Sequence, residues 1–295
     1  MIADQARAFD YPALYNSANV SSRDFQSRYF RLAIFEYVLL TCAAIASMNF
    51  FDSKLAYYLY AFVFIILFVV LGVKAATKPE QGWYRSRALA ESVKTMAWRY
   101  CMRSAPFRHD SDRANRDEFR RFLSDILNGG RLVGGELSPD FAAQDQITRS
   151  MCDLRLETLK NRKILYLQFR INEQRAWYKE RSIYNKKSAI FWFGMCAVVY
   201  LFAISLVLGR LANEEWNFWP FEPLIVVAGS IIGWMQIKRY NELAVSYTLT
   251  AHEIGILATR IDDVDDEVEF SEFINDAELA FSREHTQWVA RQEAR

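Results

Sequence analysis

Charge-free apolar stretches are the most regular feature of the chain. Residues 55–73 and 188–209 contain 19 and 22 residues without a charge. At about 1.5 Å per helical residue the longer stretch reaches ~33 Å, enough to cross a ~30 Å hydrocarbon layer. Two shorter stretches, 37–51 and 223–237, each lie beside a long one, separated from it by 3 and 13 residues. A short stretch could also be a buried core helix, but the similarity of the two pairs favours four spans.

The pattern therefore predicts four transmembrane helices arranged as two helical hairpins. Their approximate bounds are 32–51, 55–74, 188–209 and 222–238. Basic residues at the ends of these spans predict the orientation, because Lys and Arg are enriched on the cytoplasmic side. Only Lys54 and Arg210 lie on the opposite side. Both termini and the middle segment are predicted to be cytoplasmic, as in a multi-pass protein of the inner membrane.

Helical periodicity continues outside the spans. It includes cytoplasmic C-terminal helices with an apolar stripe formed by Phe270, Phe273, Ile274, Ala277, Phe281 and Trp288. Cytoplasmic helices are predicted over 80–128, where apolar residues of Arg113–Asn128 recur at helical spacing. Ser138 and Pro139 are typical of a helix start, and no Gly or Pro follows between Asp140 and Phe193. A long helix from 139 is predicted, with a bend that the sequence does not place. The predicted fold class is an all-α integral membrane protein with long cytoplasmic helical extensions.

The two halves of the chain resemble each other. Each half has an aromatic, basic helix, two spans with a short outer loop, and a charged amphipathic helix. The predicted modules are residues 1–137 and 138–295. Both halves enter and leave the membrane from the cytoplasm, so the repeat is parallel. The inverted repeats with Gly- or Pro-broken helices that many transporters use are absent from this pattern.

Composition argues against several classes of protein. Lys and Arg number 36 and Asp and Glu 35, so no basic excess predicts a nucleic-acid partner. The four cysteines form no CxxC pair, and only three histidines are present, so neither zinc binding nor a disulfide framework is predicted. No arrangement typical of catalysis is found. The sequence thus predicts no enzyme activity, no cofactor and no metal.

Three motifs together resemble a known family. They are Trp83-Tyr84-Arg85-Ser86-Arg87-Ala88 with its continuation to Tyr100, Arg170-Ile171-Asn172-Glu173-Gln174-Arg175-Ala176-Trp177-Tyr178, and Ser282-Arg283-Glu284-His285-Thr286-Gln287-Trp288. In their order around the spans they are similar to the signatures of the SLATT proteins, the SMODS- and SLOG-associating two-transmembrane effectors of bacteria. The resemblance covers nearly the whole chain as two fused modules.

The resemblance implies a function. SLATT proteins are predicted to form membrane pores that kill or arrest a phage-infected cell when a nucleotide signal is produced. It therefore implies a homo-oligomer in the lipid bilayer, most simply a dimer or tetramer. The chain carries no recognisable nucleotide synthase or sensor domain, so a separate synthase or sensor protein would have to supply the trigger.

Several residues are candidates for functional roles. Glu36 is the one ionisable residue well inside a predicted span, where a charge must be paired or hydrated. It is either a pore or gate carboxylate or an interfacial residue. Gly229 and Gly233 form a GxxxG pattern that allows close helix packing, within one subunit or at an oligomer seam. The motif residues form a candidate cytoplasmic face for a partner or signal. They are Trp83, Arg87, Glu91, Lys94, Trp98, Gln174, Trp177, Tyr178, His285 and Trp288.

A second function class stays open. The predicted spans contain few polar residues, so an aqueous lining would be narrow or hydrophobically gated. The alternative is a non-conducting membrane scaffold whose long cytoplasmic helices recruit partners.

Overall fold

A computed structural model describes residues 9–48, 54–128, 137–213, 215 and 220–293, the side chains of 55–56 and 282–293 excepted. The described residues form α-helices without strands, which confirms the all-α fold class. The ten helices in these ranges are α1 Ala13–Ala46, α2 Lys54–Thr77, α3 Pro79–Cys101, α4 Asp112–Asn128, α5 Arg149–Leu156, α6 Leu159–Tyr166, α7 Glu173–Ala212, α8 Phe221–Lys238, α9 Tyr240–Thr259 and α10 Glu267–Glu293.

Four of the helices are long and apolar enough to cross a membrane, as predicted. Spans 2, 3 and 4 lie within α2, α7 and α8. Helix α1 covers the predicted first span, 32–51, up to Ala46, and residues 49–51 of that prediction lie outside the described part of the chain. The Ser47 hydroxyl donates to the Ala44 carbonyl at 2.7 Å, a local bond that competes with continuation of the helix.

The predicted long helix from 139 is wrong. Pro139–Phe141 forms a single 3-10 turn, and α-helix resumes only at Arg149. Threonine side chains start the two short helices that follow, because their hydroxyls accept hydrogen bonds from unpaired first-turn amides. Thr148 accepts from the Met151 amide and Thr158 from the Asn161 amide, each at 3.3 Å. Glycine and proline are therefore not required to break a helix, since threonine caps divide this segment.

The helices predicted over 80–128 are α3 and α4. Helix α3 ends at Cys101, and Arg103 takes a left-handed conformation with a φ of 56°. The amphipathic prediction for the second part is confirmed, because α4 covers Asp112–Asn128 and buries Phe119 and Leu123.

Matching junctions follow spans 2 and 4 and agree with an internal repeat. One basic residue separates α2 from α3, and another separates α8 from α9. Lys78 and Arg239 are both left-handed, with φ values of 40° and 50°. Each amide still donates to the carbonyl four residues earlier, at 3.0 Å for Lys78 and 2.8 Å for Arg239. Each span thus ends in a left-handed residue that redirects the chain into a new helix.

Contacts divide the chain into two units. The core unit comprises Met1–Gln26, Glu80–Lys179 and Thr248–Arg295, and the span unit comprises Ser27–Pro79 and Glu180–Tyr247. In the core unit, α10 buries the apolar stripe predicted from its sequence. The buried members are Phe270, Phe273, Ile274, Ala277 and Phe281. In the span unit, apolar side chains are mostly exposed, as expected where lipid is the solvent.

Candidate functional site

The centre of the core unit is a buried ion pair. Arg170 and Glu278 are 1% and 0% exposed, measured on their side chains. The Arg170 guanidinium donates twice to the carboxylate, from Nε to Oε1 at 2.9 Å and from Nη2 to Oε2 at 2.6 Å. This two-point geometry is the strongest arrangement available to an arginine and a carboxylate. It fixes α10 against the segment that precedes α7.

Three further side chains complete what we call the ionic cluster. The Tyr166 hydroxyl donates to Glu278 Oε1 at 2.9 Å, and the Thr95 hydroxyl donates to Oε2 at 3.0 Å. Glu91 lies 3.5 Å from Arg170 Nη2. Both oxygens of Glu278 therefore accept two hydrogen bonds each. The ionic cluster (Glu91, Thr95, Tyr166, Arg170 and Glu278) joins α3, α6 and α10 at one point.

Local backbone structure places Arg170 in the cluster. Residues Leu167–Asn172 form a π-helix between α6 and α7, and Arg170 and Ile171 are its buried members. A π-helical turn is rare, and many of those known lie at functional sites. Its wider turn changes which side chains face the core. Glu278 lies on the apolar stripe of α10, one turn after Ile274, so the helix carries its carboxylate inwards.

Arg170 retains its charge despite complete burial. Desolvation alone would lower the pKa of Arg170, but the facing Glu278 carboxylate, its hydrogen bonds and Glu91 raise the pKa well above the usual value. Burial and the neighbouring Glu278 charge also raise the pKa of Tyr166, which stays a neutral donor. Arg170 therefore stays charged and Tyr166 stays neutral near neutral pH, as expected of a fixed structural site.

The predicted motif face is partly brought together around this cluster. Trp98 is 1% exposed and donates from Nε1 to the Tyr11 hydroxyl at 3.1 Å. Its ring stacks on Phe9 with centroids 4.7 Å apart and meets the Tyr166 ring edge-on at 5.7 Å. Lys94 Nζ donates to Gln174 Oε1 at 3.4 Å. Glu91, Lys94, Trp98 and Gln174 thus pack inwards in the core unit.

The other motif residues occupy different positions. Tyr178 is buried, and its ring meets that of Trp177 edge-on at 5.0 Å. Trp83 is half-buried and stacks on Tyr84 at 4.8 Å, and Arg87 is half-buried on the same helix. The side chains of His285 and Trp288 lie outside the described residues, so their predicted role stays a prediction.

The burial of Lys94 is expected to make the stability of the protein depend on pH. Burial, followed by the charge of Arg170, lowers the pKa of Lys94 from 10.5 to about 8. Between these pH values the folded chain binds fewer protons than the unfolded chain, so stability rises with pH. We expect Lys94→Met to remove up to about 3 kcal/mol of this rise between pH 8 and 10.5. Denaturant titrations at several pH values measure the difference from the wild type.

The control for this prediction is Lys160→Met. Lys160 is exposed on α6, so its replacement should leave the pH profile of the wild type unchanged. Equal pH profiles for Lys94→Met and the wild type would contradict the assigned desolvation of Lys94.

Glu36 is paired within the chain. Its Oε2 lies 2.6 Å from Nζ of Lys74, which projects from the end of α2. About a third of each side chain is exposed, 33% for Glu36 and 29% for Lys74. A carboxylate in a span is expected to have such a partner, because an isolated charge in the hydrocarbon layer is unfavourable. The exposed fraction leaves both an interfacial and a pore-lining position open.

The two glycines of the GxxxG pattern differ in their surroundings. A Cβ added at Gly233 would lie 2.5 Å from the Tyr37 hydroxyl oxygen and 3.1 Å from the adjoining ring carbon. Gly233 therefore permits packing of α8 on α1 inside one subunit. A Cβ added at Gly229 meets no atom within 4 Å. Of these two glycines, Gly229 alone faces open space in the single chain.

Sequence reasoning named Glu91 and omitted the rest of the ionic cluster. Arg170 begins the second motif, and Glu278 interrupts the apolar stripe of α10. An acid inside such a stripe is a signal for a buried ion pair, because an unpaired charge cannot be buried there. Within the described ranges, no three His, Cys, Asp or Glu side chains are grouped to hold a metal. The ionic cluster has a structural role, because its buried ion pair holds helices together.

Comparisons with known proteins assign the family. The family model described as SMODS and SLOG-associating 2TM effector domain 3 matches residues 12–163, and that of effector domain 1 matches residues 166–288. The module boundary predicted between residues 137 and 138 is not tested by these matched ranges and stays a prediction. No curated protein and no solved structure matches the chain significantly. SLATT domains are two-transmembrane effector domains associated with antiphage defence, and they are not known as enzymes. The chain belongs to the SLATT family, as two fused effector modules.

Proposed function

We propose that the protein is a homo-oligomeric membrane effector that forms a gated pore in nucleotide-signalled antiphage defence. The observation that carries the proposal is the pair of SLATT matches, which span 12–163 and 166–288 and together include all four candidate spans. Four spans in one subunit enclose no obvious channel, so a pore requires several copies. A separate nucleotide synthase or sensor protein would supply the signal.

The proposed location is the inner membrane, with both termini in the cytoplasm. Its support is the distribution of Lys and Arg at the span ends. Asn213 and Ser92 are exposed at positions expected on opposite sides of the membrane. A single cysteine at Asn213 in a background without the native cysteines should be labelled from outside, and one at Ser92 should be protected. Outside labelling at Ser92 would contradict this orientation.

Glu36 and Lys74 are the proposed gate. Because Glu36 pairs with Lys74 in the last turn of α2, a closed pore would hold the carboxylate in this pair. Opening would release Glu36 towards the lumen, where equivalent carboxylates from several subunits would form a ring that favours cations. The gate would then lie towards the cytoplasmic end.

Assembly can be tested with the two glycines. We expect Gly229→Ile to leave the helical content unchanged but to shift the population towards monomer by roughly tenfold. A Cβ added at Gly229 meets no atom of its own chain, so a bulky residue there would disturb the contact with a neighbouring copy at the proposed seam. Gly233→Ile is the matched variant inside the subunit, and its clash with Tyr37 should instead lower thermal stability. Light scattering after mild detergent extraction measures the mass of each. If Gly229→Ile had the same oligomeric mass as the wild type, Gly229 would not lie at the proposed seam between subunits.

One observation favours the non-conducting scaffold as the second candidate. Hydroxyls within the described spans donate back to their own helices, Thr41 to the Tyr37 carbonyl at 2.9 Å and Ser205 to the Leu201 carbonyl at 2.8 Å. The exposed side chains of α2 from 57 to 73 are apolar or aromatic. Such surfaces suit lipid better than a water-filled lumen. A scaffold would recruit partners without passing ions, so a measurement of ion flux distinguishes it from a pore.

A further inference from the structure

A layer of aromatic rings lies at one end of the span unit. The Phe30 ring of α1 and the Trp234 ring of α8 have centroids 5.8 Å apart. Trp234 is in turn 6.4 Å from Trp192 of α7. Three helices thus contribute packed rings at one level, with the Nε1 of Trp234 buried, and Trp is common at the depth where hydrocarbon meets the lipid headgroups. We call these rings the belt.

Basic residues are concentrated at the same end. Nine Lys and Arg of the span unit belong to this end and only three Glu, whereas the described residues of the opposite end include two basic and two acidic residues. Two of the three acids are already paired, Glu36 with Lys74 and Glu242 with Arg239. The charge of this end is therefore strongly positive and is not cancelled inside the unit.

Lys238 shows how the basic and aromatic layers fit together. Its Nζ lies 3.4 Å from the centroid of the Phe30 ring and 4.9 Å from that of Trp234. The ammonium therefore lies on the belt in two cation–π contacts. These two contacts place the Lys238 ammonium directly beside the aromatic rings of the belt.

Lys186 and Lys187 are two adjacent exposed cations at this end of the span unit. They lie about 7–9 Å along α7 from Trp192, at the usual helical rise. Both are exposed, and the residues that face inwards around them are Ser182, Asn185 and Ala189. Exposed apolar side chains flank the two lysines on both sides along the helix. These are Ile183, Tyr184, Ile190 and Phe191.

We propose that Lys186 and Lys187 bind the phosphate groups of anionic phospholipids. Apolar neighbours on both sides place the two ammonium groups where acyl chains and headgroups are both in reach, because long lysine stems follow apolar surface to the interface. A free phosphate would gain nothing from the apolar flanks. Anionic lipid is favoured over zwitterionic lipid, since each lysine near an anionic surface contributes roughly fivefold in affinity.

A second copy of the chain is the other occupant to weigh. Copies inserted in the same direction would bring identical positive layers to the same depth, and like charges repel. An anionic lipid between copies removes this repulsion. The charge of the surface therefore favours lipid as its direct partner. This inference does not depend on ion conduction, because a scaffold would present the same surface.

Lipid selectivity tests the inference. The full-length protein is reconstituted in nanodiscs of equal phosphatidylcholine and phosphatidylglycerol, released into mild detergent, and its retained lipids are counted by native mass spectrometry. The wild type should retain phosphatidylglycerol in several-fold excess. In the double variant Lys186→Gln/Lys187→Gln, the ratio of retained phosphatidylglycerol to phosphatidylcholine should fall by at least fivefold. In Lys186→Arg/Lys187→Arg, which keeps both charges, this ratio should be unchanged.

The matched control is Arg113→Gln/Arg120→Gln, which neutralises two exposed basic residues on α4 of the core unit. It should retain wild-type enrichment. Equal retention of the two lipids by the wild type, or unchanged enrichment in the Lys186→Gln/Lys187→Gln variant, would overturn the inference. If that variant does not fold, the single variants Lys186→Gln and Lys187→Gln decide in the same way.

Discussion

Replacing Glu278 with alanine is expected to lower the free energy of unfolding by about 3–5 kcal/mol. The substitution removes both hydrogen-bond acceptors of the Arg170 guanidinium and leaves that charge fully buried. Tyr166 and Thr95 lose their acceptor in the same step. Denaturant titration of the detergent-solubilised protein, followed by circular dichroism, measures the change.

Two variants separate this effect from simple loss of a side chain. In Arg170→Met/Glu278→Met neither charge is buried, so much of the lost stability should return, as replacing a whole buried ion pair is often tolerated. Arg113→Ala breaks an exposed pair with Asp117 at 3.9 Å and should leave the transition unchanged. A Glu278→Ala transition equal to that of the wild type would contradict the description of Arg170 and Glu278 as the central joint.

Trp98→Ala should cost about 3–5 kcal/mol of unfolding free energy. The large indole is buried against Phe9 and Tyr166, and its removal leaves a cavity that rigid neighbours cannot fill. It also removes the hydrogen bond to the Tyr11 hydroxyl. The same denaturant titration measures the loss.

Trp98→Phe provides a graded comparison. It keeps an aromatic ring but removes the Nε1 donor, so it should cost less than half as much as Trp98→Ala. Leu156→Ala, at a side chain 74% exposed, is the surface control and should have little effect. If Trp98→Ala were as stable as Leu156→Ala, Trp98 would be better described as an exposed docking residue.

These two predictions change how the motif residues are understood. The first motif suggested a cytoplasmic face for a partner, and that role stays a prediction for Arg87 and Trp83. Trp98 and Glu91, however, point into the core unit, towards Tyr11 and Arg170. Part of the family signature therefore stabilises the helical core, and any signal received there would have to act on a tightly packed assembly.

The spans and the helical class could be predicted from the sequence because both depend on local patterns. Long charge-free stretches allow few alternatives, and α2 and α7 contain the two longest predicted spans as expected. The stripe of α10 was visible for the same reason, since helical periodicity repeats within a few turns.

The breaks and the ionic cluster could not be predicted in the same way. Thr148 and Thr158 cap the starts of α5 and α6, yet threonine is also common inside helices. Arg170 and Glu278 are 108 residues apart and meet only because α10 packs on the π-helical segment. Partners so distant in sequence leave no local pattern, although an acid in an apolar stripe gives a partial signal.

Ion flux through proteoliposomes tests the central proposal most directly. The purified protein is reconstituted with an encapsulated ion-sensitive dye, and flux is recorded with and without candidate cyclic nucleotides. A pore predicts flux that increases on addition of an activating nucleotide. Glu36→Gln should assemble normally but reduce cation flux roughly threefold to tenfold, since it deletes the charge while keeping the size of the side chain. No flux above that of empty liposomes under any condition, from protein that is folded and oligomeric, would contradict the pore and favour the scaffold.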